Sequence, residues 1–240
     1  MTFLRTPRSK AMALALTVAV SAGVLFNLSA AAQNQQMVDK LMAIKQAQDT
    51  NKQKLAQYSW QETETISIKG SVKDTKTYQV QMGPNGQPQK TEINDQKAQS
   101  GGREGRVKER VVQKETQEYQ QYGQSIGALA KQYTTPNSEA LMQAKQAGNI
   151  SLQPGGGTVS LVIKNYIKQG DSMTMTINEQ THSPVSVQVN SYLSDPKDAV
   201  TINAQFGQLP DGTNHVTTTN IDGVSKQLTI NEQNSNYQKM

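Results

Sequence analysis

Apolar and polar residues alternate through the last third of this chain. Val159, Leu161 and Ile163 are spaced two apart, and Met173, Met175 and Ile177 repeat the spacing. Val185, Val187 and Val189 follow, then Val200, Ile202, Ala204 and Phe206, then Val216 and Ile221, then Leu228 and Ile230. A period of two puts alternate side chains on one face of a strand. Gln169-Gly170-Asp171, Ser183-Pro184, Leu209-Pro210-Asp211-Gly212 and Asp222-Gly223 punctuate these runs as tight turns. Six such strands predict an antiparallel meander with one buried face and one wet face.

The first part of the chain has a different texture. Residues 37–58 lack Gly and Pro, and Met37, Leu41 and Ile44 recur at helical spacing, with Leu55 and Tyr58 resuming the stripe. This predicts an amphipathic helix that covers a sheet. Residues 58–82 predict a hairpin, with Trp60, Glu62, Glu64, Ile66 and Ile68 on one face and Tyr78, Val80 and Met82 on the returning strand. Gly83-Pro84-Asn85-Gly86 turns the chain into a short strand over 87–92. Residues 94–105, with Ser100-Gly101-Gly102, read as a flexible linker. A second helix is expected over 107–133, carrying Val107, Val111, Tyr122, Ile126, Leu129 and Tyr133. Pro136 stops it, and Asn137 or Ser138 caps a third helix ending near Gly148. The expected fold class is α+β: a curved, half-barrel-like antiparallel sheet of about eight strands packed on two or three helices.

Composition adds an address. Arg5, Arg8 and Lys10 precede an apolar run over 11–26, and Ala30-Ala31-Ala32 follow. This is the pattern of a secretory signal peptide over 1–32, cleaved after Ala32. The run falls short of the roughly 20 residues that a spanning helix needs. Polar Gln33-Asn34-Gln35-Gln36 follows at once, and no Arg-Arg pair marks a twin-Arg route. The expected location is periplasmic or extracellular, with one domain over 33–240 and no transmembrane segment after processing. The chain has no cysteine, so neither a lipid-modified Cys nor a disulfide is available. The leader carries three bases and no acid, so its removal takes the net charge from +5 to +2. A nucleic-acid partner loses its main support.

Candidate chemistry is sparse. His182 and His215 are the only histidines, and no serine lies in a G-x-S-x-G sequence. No spacing suits a zinc or calcium site, so neither metal nor cofactor is expected. Glu62 and Glu64 share a strand face about 6–7 Å apart, with Trp60 beside them. Paired carboxylates of this kind can hydrolyse glycosides. The preferred reading is an ordinary polar hairpin edge that Lys69, Lys73 and Lys76 neutralise. Arg103, Arg106, Lys108 and Arg110 form a basic cluster that reads as a solvated helix face. The Gly123-Gln124-Ser125-Ile126-Gly127 spacing loosens the second helix or lets it lie close on a sheet. Thr176-Ile177-Asn178-Glu179-Gln180 recurs as Thr229-Ile230-Asn231-Glu232-Gln233, and both copies read as strand ends entering polar turns.

Two resemblances follow from these residues. Tyr58-Ser59-Trp60-Gln61-Glu62-Thr63, Gly83-Pro84-Asn85-Gly86 with Gln89-Lys90-Thr91, Leu209-Pro210-Asp211-Gly212-Thr213 and Asn234-Ser235-Asn236-Tyr237 resemble a family of secreted bacterial proteins with no assigned activity. The order helix, hairpin, helical insertion and meander is similar to periplasmic lipoprotein carriers of the LolA/LolB type. That likeness implies a curved sheet wrapped around helices, enclosing an apolar cavity. The expected function is a monomeric, non-enzymatic exported binding or carrier protein, with a lipid or lipoprotein as partner. Its ligand is expected beside Met173, Met175, Val185, Val187, Val200, Ile202 and Phe206 of the sheet and Tyr122 and Ile126 of the second helix. The alternatives are an envelope structural or protein-interaction module with a solid core, and a carbohydrate-active enzyme using Glu62 or Glu64.

Overall fold

Alternation along the strands becomes one continuous sheet. The computed structural model describes residues 32–84, 86–97, 106–134 and 138–240. In chain order these form α1 (Ala32–Leu55), β1 (Tyr58–Ile68), β2 (Ser71–Met82), β3 (Pro88–Lys97), α2 (Arg106–Thr134) and α3 (Ser138–Gln146). Then come β4 (Ile150–Gly155), β5 (Thr158–Lys164), β6 (Ser172–Asn178), β7 (Pro184–Tyr192), β8 (Ala199–Gln208), β9 (Asn214–Gly223) and β10 (Leu228–Lys239). The fold is α+β, with an open, curved antiparallel sheet in the order β3-β2-β1-β10-β9-β8-β7-β6-β5-β4. Pairing of β1 with β10 joins the first hairpin to the end of the meander.

The sheet has ten strands, against about eight expected. β4 ends in Pro154-Gly155, which reads as a break in sequence. An edge strand tolerates proline because one side of its backbone needs no partner, and β4 is an edge. β3 runs on to Lys97 because β2 offers partners as far as Asp74. It thereby absorbs the first part of the expected linker, and residues 98–105 lie outside the described residues. So do residues 1–31 of the expected leader.

In-register neighbours form two rows across the inner face. One row runs Ile150, Ile163, Met173, Val189, Ile202, Ile221, Ile230 and Ile66. The next runs Leu152, Leu161, Met175, Val187, Ala204 and Thr219, then ends in Glu232 and Glu64. The first row is apolar throughout, whereas the second turns acidic at β10 and β1.

Two helices cross opposite ends of this floor. α2 lies at the end formed by the β5–β6, β7–β8 and β9–β10 turns. Its Tyr133 hydroxyl donates to Asp171 at 2.5 Å and lies 2.8 Å from the Ser191 hydroxyl. The Asp171 carboxylate also accepts the backbone N–H groups of Tyr166, Ile167 and Lys168. Eleven residues earlier, Tyr122 donates to Asp198 at 2.7 Å. Its ring lies so close to Gly223 that a Cβ there would sit 2.5 Å from it. Between the two tyrosines, Ile126, Leu129 and Ala130 are buried in the core. α1 lies at the other end. Its Asn51 side chain donates to the Asn214 carbonyl and accepts the Asn214 N–H. Beyond α1, the Tyr58 hydroxyl donates to Asp211 in the β8–β9 turn at 2.8 Å.

Tyr133→Phe removes a hydrogen bond to a buried carboxylate and should lower stability by about 1.5–3 kcal/mol. Gly223→Ala should also destabilise, because the Tyr122 ring must move. Urea unfolding followed by circular dichroism measures both.

Candidate functional site

Strand geometry carries the acidic end of the floor inward. β1 alternates so that Trp60, Glu62 and Glu64 all face the interior, and each is buried. On β10, Leu228, Ile230 and Glu232 do the same. The β1–β10 register sets Glu64 directly opposite Glu232, and the β1–β2 register sets Glu62 opposite Tyr78. Lys90 of β3 stands opposite Val80. Its ammonium donates to the Glu62 carboxylate and lies 3.5 Å from that of Glu232.

This cluster is almost closed to solvent: Glu62 is 2% exposed, Glu232 1% and the Lys90 side chain 1%. Like charges set opposite each other across strands repel, and burial disfavours ionisation of each carboxyl. Burial pushes Glu232 up to about 8, against the attraction of Lys90, and Glu62 and Glu64 raise it further. Burial also raises Glu62 and Glu64, with Lys90 opposing in each case. All three carboxyls are thus held above the ordinary carboxylate range. Two buried hydroxyls accompany them. Tyr78 is in register with Glu62 and Thr219 with Glu232, and neither hydroxyl has a hydrogen-bond partner among the described residues.

Aromatic rings flank the acids. Trp60 stacks on Tyr237 with centroids 5.5 Å apart, and its indole N–H donates to Asn234 at 3.0 Å. Tyr237 also meets the His215 ring at 4.2 Å. Burial holds His215 below the ordinary imidazole range.

The structure revises the expectation for Glu62 and Glu64. They do not lie on a polar hairpin edge, because β10 pairs along the other side of β1. Lys90 is the base that meets Glu62. Lys76 stands opposite Glu64 and pairs with Glu92 at 3.5 Å. Sequence reasoning missed Lys90 and Glu232. The two-residue spacing of Leu228, Ile230 and Glu232 was the available signal for Glu232. Nothing local marked Lys90.

Of the expected ligand-lining residues, Met173, Met175, Val187, Val200, Ile202, Tyr122 and Ile126 are buried in one shared cluster, and Phe206 is partly buried against it. Val185 is on the outer face and 37% exposed. A bulge explains this: Ser186 pairs with Thr176 while Pro184 pairs with the next residue, Ile177, so Val185 is the extra residue. His182 lies in the β6–β7 turn, where it helps line an open cleft of about 500 Å³ beside Gln46, Thr50 and Lys54 of α1. Arg103 lies outside the described residues, as do the side chains of Arg106, Lys108 and Arg110. Among the described residues, no group of three or more His, Cys, Asp or Glu could hold a metal ion, and no helix is long and apolar enough to cross a membrane.

The sequence matches no protein-family model and no curated protein. Among solved structures, the chain is similar to a DUF1329 family protein from Desulfovibrio piger. The identity is 10% and the TM-score 0.40, over 85% of this chain and 92% of that one. It is also similar to a LolA superfamily protein from Nitrosomonas europaea, with 7% identity and a TM-score of 0.36 over 80% and 93% of the two chains. At these TM-scores neither likeness bears on function.

Lys90→Met should destabilise the protein by about 3–5 kcal/mol, because it leaves Glu62 buried without its cation. Adding Glu62→Gln should recover much of that loss in urea unfolding. The pH dependence has a definite sign. Glu232 is raised from 4.5 to about 8, so the folded state binds the extra proton between those values. Stability is then highest below that window and falls as pH rises through it. The thermal midpoint should be lower at pH 8 than at pH 5.5, and Glu232→Gln should flatten the difference.

Proposed function

We propose that this is an exported, non-enzymatic binding or carrier protein that shelters an apolar group between the concave sheet and its helices. The acyl chain of a lipid or lipoprotein is the class of ligand that suits such a floor. The observation that carries this reading is the placement of α1 and α2 at opposite ends of two long apolar rows. Strands hold one another through backbone ladders. Among the described residues, the polar contacts of α1 and α2 with the sheet and its turns run through helix side chains, at Asn51, Glu118, Tyr122 and Tyr133. Such helices can shift without breaking the sheet.

Space beside α2 supports the same reading. Gly127 is buried, yet a Cβ built there meets no atom within 4 Å. It lies one turn after Gly123, on the same side of the helix, and Gly123 faces Leu228 of β10. Catalysis of glycoside hydrolysis is less well served. Lys90 already occupies Glu62, one of the two carboxylates such chemistry would need.

Protein exported with its leader and recovered from the periplasm should carry acyl-bearing material. Native mass spectrometry and organic extraction read this directly. Gly127→Leu should lower the occupancy while the melt stays cooperative. Recovery of the bare chain mass with no extractable acyl group would overturn the carrier reading. Gly127→Ala, which fits the space, should raise stability by about 1 kcal/mol.

A further inference from the structure

The apolar rows do not extend unchanged to the edge of the sheet. Along the second row, Val187 and Ala204 give way to Thr219, Glu232 and Glu64. Strands lie about 4.8 Å apart, so the acids begin about 14 Å from Val187 along the same row. A ligand with a long tail on the apolar part would bring its head to the acidic part.

We propose that the cluster of Glu62, Glu64 and Glu232 receives a primary ammonium head group, belonging to the ligand whose tail lies on the apolar floor. This rests on the carrier reading above. Three features of the cluster fit such a head. Glu62, Glu64 and Glu232 gather round Lys90, and Lys76 opposite Glu64 is already paired with Glu92, so hydrogen-bond acceptors are in excess. An ammonium supplies three N–H donors and no acceptor. Tyr78, 3% exposed, is in register with Glu62, and Thr219, 1% exposed, with Glu232; both hydroxyls are buried and lack partners among the described residues. They can accept from the incoming cation. The Tyr78 ring already lies 5.7 Å from the Lys90 ammonium, and Trp60 and Tyr237 add further π surface beside it. An anionic head would instead meet carboxylates of its own sign.

Trp60 is the only tryptophan, so its emission reports on this end of the sheet without a label. The full secreted chain is titrated at neutral pH with octylamine, octanol and ethylamine. Octylamine should bind about tenfold tighter than octanol, the gain from one charge-assisted contact. Glu64→Gln and Glu232→Gln should each remove most of that advantage and leave octanol affinity unchanged. Circular dichroism shows which variants remain folded, and either folded variant suffices. Equal affinity for octylamine and octanol would overturn the ammonium site and leave the carrier reading standing. Survival of the amine advantage in a folded Glu variant would do the same. Binding of neither octyl compound would overturn the carrier reading. Ethylamine binding lost in the Glu variants would then still support the ammonium site.

Discussion

Helix α2 stays on the sheet because the Tyr133 hydroxyl donates a hydrogen bond to Asp171. That carboxylate is already committed to three backbone N–H groups of the β5–β6 turn. The turn, the end of β7 at Ser191 and the last turn of α2 are therefore fixed by one buried acid. The apolar rows depend on this arrangement. An antiparallel sheet has two faces, and only one of them is wetted comfortably here. The other needs a cover, and Ile126, Leu129 and Ala130 provide it only while Tyr122 and Tyr133 hold the helix in place.

The covered face is uneven in chemistry. Toward β4 it is a conventional aliphatic core. Toward β1 and β10 it becomes a desolvated cluster of three carboxylates and one lysine. Such a cluster adds little net stability, since apolar residues of similar volume commonly replace a buried ion group without loss. Its position at the end of an apolar row links the two halves of the inner face into one elongated surface.

Much of the architecture was legible in the chain. The period of two in Met173, Met175 and Ile177, and in Val200, Ile202 and Ala204, reflects a local property: alternate residues of a strand face opposite sides. Helix limits near Pro136 and Ser138 were legible for the same reason, since proline and capping residues act within a few positions. What escaped was nonlocal. Val185 has the spacing of an inward residue, but a bulge against Ile177 turns it out. Pro154 looks like a strand breaker, but β4 is an edge. Lys90 carries no local sign that it will reach Glu62 across two strands.

The repeated pentapeptide separates the two kinds of information. Thr-Ile-Asn-Glu-Gln occurs at residues 176–180 and again at 229–233. In both copies alternation buries the isoleucine, Ile177 and Ile230, as the sequence by itself implies. The glutamates diverge. Asn178 accepts the N–H groups of Gln180 and Thr181, the chain turns, and Glu179 is exposed. Asn231 pairs with β1 and β9 instead, the strand continues, and Glu232 is buried. Local sequence determined which residues alternate. Tertiary structure decided which acid entered the core, because β5 and β7 end beside Asn178 and Ile177, whereas β1 and β9 run on beside β10 past Glu232.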